Sequence, residues 1–287
     1  MTEDAGVDTL SPSSYGLRQL TLYVLAAVVT VIFAFPVYWL VLSALKEPNA
    51  IRSWPPSLFT LDLTLENFRL LITDTNFPRW FKNSVIITAG NIIFTITLST
   101  TAGYALTRYD IPQKKNLARM LLLTYMFPPI LLGIPYFILF QAIGLQNTLI
   151  GIMLAHASLS LPFGTWIMWQ FFQTVPISWE ESAWACGASR LRSMVEIALP
   201  GAFPGIVAVA IFTFSVSWND FTLAFMLTTD PNVRVLTVGI RDFMTGGRVL
   251  WGDLTSAGVL LILPPMILIF FLNKYILAGF SMGGFDR

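Results

Sequence analysis

The sequence predicts an all-α integral membrane protein with six transmembrane helices, and three observations carry that prediction. The 287 residues are 55% hydrophobic and 11% charged, with a mean hydropathy of +0.69, whereas a soluble globular domain averages roughly 25% charged residues. Six apolar runs reach the length, about 20 residues, that a helix needs to cross the hydrocarbon core. Strand-like alternation is absent at the scale a barrel requires, so the backbone must satisfy its hydrogen bonds within helices.

The N-terminus, MTEDAGVDTLSPSSYGLRQL, is acidic and then polar. A cleaved signal peptide has a basic start and a short apolar core. Residues 1–17 therefore read as a soluble tail before an uncleaved span. The six runs are 20–45, 83–107, 118–142, 148–172, 201–228 and 254–277. Short loops rich in Lys and Arg stay on the cytoplasmic side. The loop TRYDIPQKKNLARM holds Arg108, Lys114, Lys115 and Arg119, which marks it as cytoplasmic. Both termini and the loop 176–200 are then expected inside, with 46–82, 143–147 and 229–253 outside. Pro36, Pro128, Pro129, Pro135, Pro162, Pro204, Pro264 and Pro265 fall in the runs. Each frees a backbone carbonyl and kinks its helix, which serves bundle packing or a flexing pathway.

Between the fourth and fifth runs lies the charged stretch WEESAWACGASRLRSMVEIALPGAFPG, residues 179–205. Pro176 ends the preceding helix. Ser178 and Glu181 stand three apart and read as a capping box. A short helix to Ala185 or Cys186 follows, and Gly187 can take the left-handed conformation that closes it. Ser189 can cap a second helix over 190–198, on which Leu191, Met194, Val195 and Ala198 make one apolar stripe. Neither helix is long enough to be stable alone in water, so both must pack on the bundle and on a partner.

These residues carry a resemblance. Glu181-Ser182-Ala183, Gly187 and Ile197-x-Leu199-Pro200 match the EAA loop of ATP-binding-cassette importer permeases. SWNDFTLAFMLTTDPNVRVLTVGI (217–240) and ILAGFSMGGFDR (276–287) are similar to the fifth-span end and C-terminal tail of the carbohydrate branch. The chain resembles the shorter, G-type permease of maltose-type importers from about residue 20 onward. It departs from the pattern at Ser182, where the family has Ala, at Cys186, where it usually has Asp, and in ending Phe285-Asp286-Arg287.

The resemblance implies one type-1 transmembrane domain over 18–287. Its coupling loop (176–200) would dock into a cleft of a cytoplasmic ATPase through Glu180, Glu181, Ser182, Ala183, Gly187, Ala188, Leu199 and Pro200. It implies a second permease subunit, two ATP-binding cassette subunits and an extracytoplasmic solute-binding protein as partners, in a cell inner membrane. It also implies that the outer loop 229–253 reaches the binding protein through Met244, Thr245, Gly246, Gly247 and Arg248; the residue-level alternative is a solvent loop with a Gly246-Gly247 turn. Glu181 would pair with a basic residue of the ATPase, while by its spacing alone it completes the capping box.

None of the five lysines follows a GxxxxGK[ST] pattern, so the chain does not cradle ATP phosphates. No cofactor is expected on it; ATP and Mg belong to the ATPase. The net charge of +1 gives no bias toward nucleic acid. One cysteine, Cys186, and one histidine, His156, exclude an internal disulfide and an all-cysteine metal site, and a metal is not expected. His156 lies within a span, where an ionisable group marks either function or a buried hydrogen bond to Ser158, Ser160 or a neighbouring helix. Asp220, near the end of the fifth run, reads as a helix cap or a partner of an arginine. Asn91, Thr95, Thr97 and Thr101 serve helix packing or a solute pathway, so Asn91, His156 and Asp220 are the pathway candidates. A lipid-processing enzyme would need clustered acids or a metal site, and an ion-coupled transporter would need intramembrane charges or an inverted repeat; the spans offer little of either.

Overall fold

The computed structural model describes residues 12–245 and 249–282. In chain order it contains α1 (Pro12–Leu45), a 3-10 turn (Ala50–Arg52), α2 (Glu66–Thr73), α3 (Phe77–Arg108), α4 (Lys114–Tyr125), α5 (Pro129–Ala142) and α6 (Leu149–Thr174). The charged stretch forms α7 (Ile177–Ala185), α8 (Arg190–Ser193), a π turn (Met194–Ala198) and α9 (Leu199–Gly201). Then come α10 (Phe203–Asn219), α11 (Thr222–Leu227), α12 (Leu236–Gly239), a 3-10 turn (Ile240–Met244) and α13 (Trp251–Met282). Every regular element among the described residues is helical.

Four helices, α1, α3, α6 and α13, are long and apolar enough to cross a membrane, and the count rises to six if each bent pair is one span. The run 118–142 bends far more sharply than an ordinary proline kink: α4 and α5 meet at 92°. Pro128 and Pro129 stand at the break, and neither has the N–H that the carbonyls of Thr124 and Tyr125 would take in a continuous helix. The segment Arg190–Gly201 meets α10 at 76°, near where the sequence ends the second short helix at Pro200. The fifth run itself divides farther on: α10 ends at Asn219, with Asp220 in an extended conformation before α11. Pro36, Pro135, Pro162, Pro264 and Pro265 lie inside helices.

The bundle is organised around α3 and α6, with α10 against both. The axes approach closely because Gly103 has no side chain: a Cβ there would lie 2.7 Å from Met168 Cβ and 2.8 Å from the Trp169 nitrogen. Polar side chains lie within this interface, as small residues do between membrane helices. α1 and α13 pack on each other at the side, and most of α1 presents exposed Leu, Val, Ile and Phe, as a lipid-facing surface requires.

At the end opposite α7, two long connections fold rather than hang free. Asn67 of α2 donates from Nδ2 to the carbonyls of Ala44 and Lys46 (2.9 and 2.7 Å) and so clamps the end of α1. Leu71, Phe77, Trp80, Trp218, Leu236, Phe243 and Ala257 form a buried cluster. The expected outer loop is thereby tied to α3: Leu236 N donates to Ser84 Oγ at 2.8 Å, and Asn83 donates to the carbonyls of Asn232 and Arg234.

Helix extends into both expected tails. α1 starts at Pro12, so 12–17 is helical, and α13 continues through Met282, so 276–282 is helical. Residues 1–11 and 283–287 lie outside the described residues.

Candidate functional site

Three groupings of the sequence-selected residues can be located. The first is the charged stretch. α7 begins at Ile177, directly after Pro176, whose φ of −60° and ψ of 130° turn the chain. Ser178 therefore sits inside the first turn, and no side chain caps α7. The capping box with Glu181 does not form; the proline starts the helix earlier than the serine would. The other end follows expectation. Gly187 has φ +87°, its N–H donates to the Trp184 carbonyl (2.9 Å), and the Ala188 N–H donates to the Ala183 carbonyl (3.0 Å). That pair of bonds is a Schellman closure. Ser189 Oγ accepts from Arg192 N at 3.2 Å and caps α8 as expected.

The apolar stripe on the second helix is split. Met194 and Ala198 are buried, while Leu191 is 70% and Val195 51% exposed. The π turn over Met194–Ala198 widens the helix by one residue per turn, and only one of the two adjacent rows faces the bundle. Trp179 and Ile177 are also exposed on α7. The stretch thus carries an outward apolar surface edged by Glu181, Ser182 and the Arg192–Glu196 pair (2.9 Å).

Glu180 behaves differently from its neighbour. It is fully buried, and Arg108 Nε donates to its Oε1 and the Tyr104 hydroxyl to its Oε2, each at 2.6 Å. Arg108 Nη2 donates as well to the Val175 carbonyl at 2.8 Å. The Glu180 side chain therefore ties α7 to α3 and to the end of α6 and is not on the surface where docking was expected. Arg108 and Tyr104 were not selected from the sequence as partners. The only signal was Arg108 in the basic loop, and its pairing spans 72 residues.

The second grouping lies in the bundle. His156 on α6 is 1% exposed; its Nδ1 lies 2.9 Å from Ser217 Oγ and its Nε2 3.1 Å from Asp220 Oδ2. The ring thus pairs with α10 and the break after it, while Ser158 bonds Tyr136 instead. Asp220 is a cap, as the sequence allowed, accepting from the Leu223 and Ala224 N–H groups (3.3 and 2.9 Å). Its side-chain partner is His156, not an arginine. Asn91 is completely buried between α3 and α6, donating to Ser160 Oγ at 3.4 Å and accepting from Thr95 at 3.0 Å. Thr97 and Thr101 are exposed and bond their own helix. Beside Asp220 opens a cavity of about 410 Å³ lined by Tyr125, Met126, Phe127, Pro128, Pro129, Leu159, Val216, Asn219 and Asp220.

The third grouping is the tip of the long connection. Met244 and Thr245 are exposed at the end of a 3-10 turn. Gly246, Gly247 and Arg248 lie outside the described residues. No group of three or more His, Cys, Asp or Glu that could hold a metal occurs among the described residues.

Residues 96–281 match the family of binding-protein-dependent transport system inner membrane components. The chain is 29% identical over 270 residues to the trehalose/maltose transport system permease protein of Thermococcus litoralis, covering 93% of this chain and 96% of that one. It is 32% identical over 258 residues to a diacetylchitobiose uptake system permease protein of Streptomyces coelicolor, covering 89% and 85%. A chain of a bacterial ABC transporter involved in import of the acidic polysaccharide alginate superposes with a TM-score of 0.80 at 19% identity, covering 94% of this chain and 99% of that one. This last likeness is one of fold.

Proposed function

From the premise that this chain belongs to the family of binding-protein-dependent transport system inner membrane components, we propose that it is the G-type permease subunit of an ATP-driven sugar importer. It forms the translocation pathway with a second permease and takes its movement from two cytoplasmic ATPase subunits. A solute-binding protein delivers a sugar or sugar-like solute on the far side of the membrane. The permease names of the relatives, over nearly their full length, support the sugar class. The chain is a gate and not a catalyst.

The observation that carries the coupling role is the surface of the 176–200 segment. Two short helices, closed by the left-handed Gly187, leave Ile177, Trp179, Leu191 and Val195 exposed beside Glu181. Exposed apolar residues rimmed by charge suit a protein partner. The buried Glu180–Arg108–Tyr104 cluster joins that surface to α3, so a push on α7 moves α3 as a rigid body. In this reading Glu181, Ser182, Ala183, Gly187, Ala188, Leu199 and Pro200 form the docking segment, with Glu180 behind it. Both termini and this segment are cytoplasmic. Met244 to Arg248 meet the binding protein.

The test is purification of the tagged chain from membranes. A second permease and an ATPase with a GxxxxGK[ST] loop should accompany it, and deletion of the chain should abolish saccharide uptake. Uptake that survives the deletion sinks the reading. Orientation is tested in a Cys186→Ser background with single cysteines replacing Gln113 or Gln146. An impermeant thiol reagent on intact cells should mark the second alone.

A further inference from the structure

Two helix breaks converge on one cavity. The α4–α5 break supplies Tyr125, Met126, Phe127, Pro128 and Pro129, and the α10–α11 break supplies Asn219 and Asp220, all lining the same space of about 410 Å³. Irregular backbone at membrane depth is tolerated where it lines a cavity that meets its polar needs, and paired discontinuous helices frame binding sites in transporters. We propose that this cavity is a solute-contact site on this subunit, taking the hydroxyl-rich, non-anionic face of a saccharide. The proposal rests on the permease reading and adds to it the place where this subunit touches the solute.

The chemistry of the wall selects the ligand. Asp220 has its oxygens engaged by His156, Leu223 N and Ala224 N, three of about four acceptor positions on a carboxylate. Asn219 spends its Nδ2 on the Ser215 carbonyl at 2.9 Å, and its Oδ1 has no protein partner among the described residues. The Tyr125 carbonyl has none either, since Pro129 brings no N–H and the nearby Met126 and Phe127 N–H groups bond Leu123 and Thr124. These three free positions are acceptors and call for donors, while the Tyr125 hydroxyl and the second Nδ2 hydrogen of Asn219 can donate, a mixture that matches groups able to do both. A lipid chain would leave them unsatisfied. A carboxylate or phosphate brings acceptors only, so it would leave these positions without donors and set its charge beside the Asp220 carboxyl group. Sugar hydroxyls satisfy all three.

The rest of the wall is aromatic and apolar, as in a small-molecule site with few polar groups. Tyr125 is held in place by Phe163 and Phe212, with ring centroids 5.5 and 5.6 Å away. Phe127 and Met126 are 59% and 75% exposed. Such rings accept the C–H faces of a pyranose. His156 orients Asp220 from behind and does not line the cavity, which makes it a positioning residue.

The experiment uses the full importer in cells lacking the chromosomal copy of this chain. Tritiated maltose, trehalose and diacetylchitobiose are offered to the wild type, with an alginate oligosaccharide as the anionic probe. The neutral disaccharide imported fastest is then presented to importers carrying a photoreactive benzoyl-phenylalanine in place of Met126 or of Phe127, with Leu139, exposed on α5, as the control position. The expected result is light-dependent transfer of tritium to the chain at 126 or 127 and not at 139, suppressed by excess unlabelled sugar. Tyr125→Ala should lower import by about three- to tenfold, the scale of one lost aromatic contact, and Tyr125→Phe should restore it. No transfer at 126 or 127 during active uptake overturns the site, as does wild-type import of the alginate probe at the rate of the disaccharide. Failure of the wild type to import any of the sugars instead overturns the sugar-importer reading.

Discussion

Two buried polar clusters lie toward opposite ends of the α3–α6 pair, and they are closed to different degrees. At the α7 end, the Arg108 and Glu180 side chains are 6% and 0% exposed, and Tyr104 and the Val175 carbonyl complete their hydrogen bonds. At the other end, His156 is 1% exposed but Asp220 10%, and Asp220 borders a cavity. The first cluster joins three elements and keeps solvent out. The second also joins three elements, α6, α10 and α11, but leaves one side of its carboxylate open. A buried ion pair gains strength from enclosure to the extent that its lone pairs and protons are matched, and in the first cluster both Glu180 oxygens and two Arg108 nitrogens have partners. The difference teaches that burial of charge serves two purposes here: fixing the position of a surface helix, and holding a polar group at the edge of a space.

Breaking the enclosed cluster should have the largest effect. Arg108→Ala leaves Glu180 charged, buried and short of a partner, a loss of about 3–5 kcal/mol. The expected outcome is a strong drop in membrane abundance and in the melting temperature of the detergent-solubilised chain. Arg108→Met combined with Glu180→Met should recover most of the stability, because the desolvated charge goes with its partner, yet leave transport impaired. A single variant that melts like the wild type would mean that the pair does not join α7 to α3.

The open cluster should break more gently. Asp220→Ala removes the cap of α11 and the partner of His156, costing about 1–3 kcal/mol. Water in the cavity can compensate in part, which it cannot do at Glu180. Thermal melts of Asp220→Ala and Arg108→Ala in the same detergent measure the contrast directly. Equal losses would erase the distinction between an open and an enclosed cluster.

The helical class, the apolar runs and the closure at Gly187 were legible because they depend on local chemistry. Run length, Pro placement and the left-handed preference of Gly act within a few residues. Both clusters depend on contacts made across the fold: Arg108 with Glu180, and His156 with Asp220 across 64 residues. Nothing in WEES says that the first glutamate turns inward and the second outward. The capping box failed for a local reason, since Pro176 set the helix start ahead of Ser178. The two span breaks were half legible. The prolines at 128 and 129 were noted as kinks, but a 92° bend needs the neighbouring helices to hold it.

Gly187 tests the link between the α7 end and its partner at an intermediate scale. Its φ of +87° places a side chain in a region that costs an L-residue roughly 1–2 kcal/mol, more for a β-branched one. A Cβ there meets no atom within 4 Å, so the strain is in the backbone alone. Gly187→Val should insert and assemble in the membrane but tilt α8 relative to α7, lowering uptake and uncoupling ATP hydrolysis from it. Gly187→Asn, which tolerates the left-handed region, should lie between Val and the wild type. Full transport by the Val variant would show that the turn is not part of coupling.

Glu181→Ala is expected to do least to the chain itself, and it sharpens the comparison most finely because Glu181 adjoins Glu180. Glu181 is exposed, makes no ion pair among the described residues and does not cap α7. Its removal should leave the melting temperature unchanged. An exposed pair with a cation of the ATPase contributes about 0.2–1 kcal/mol, so co-purification of the ATPase should weaken by a factor of roughly 1.5 to 5, and more so at low salt. Glu180→Ala, in contrast, should destabilise the chain itself and lower its abundance before any docking is measured. Salt-independent loss in the Glu181 variant would assign this residue a packing role instead, and an unchanged ATPase yield at low salt would remove it from the docking surface.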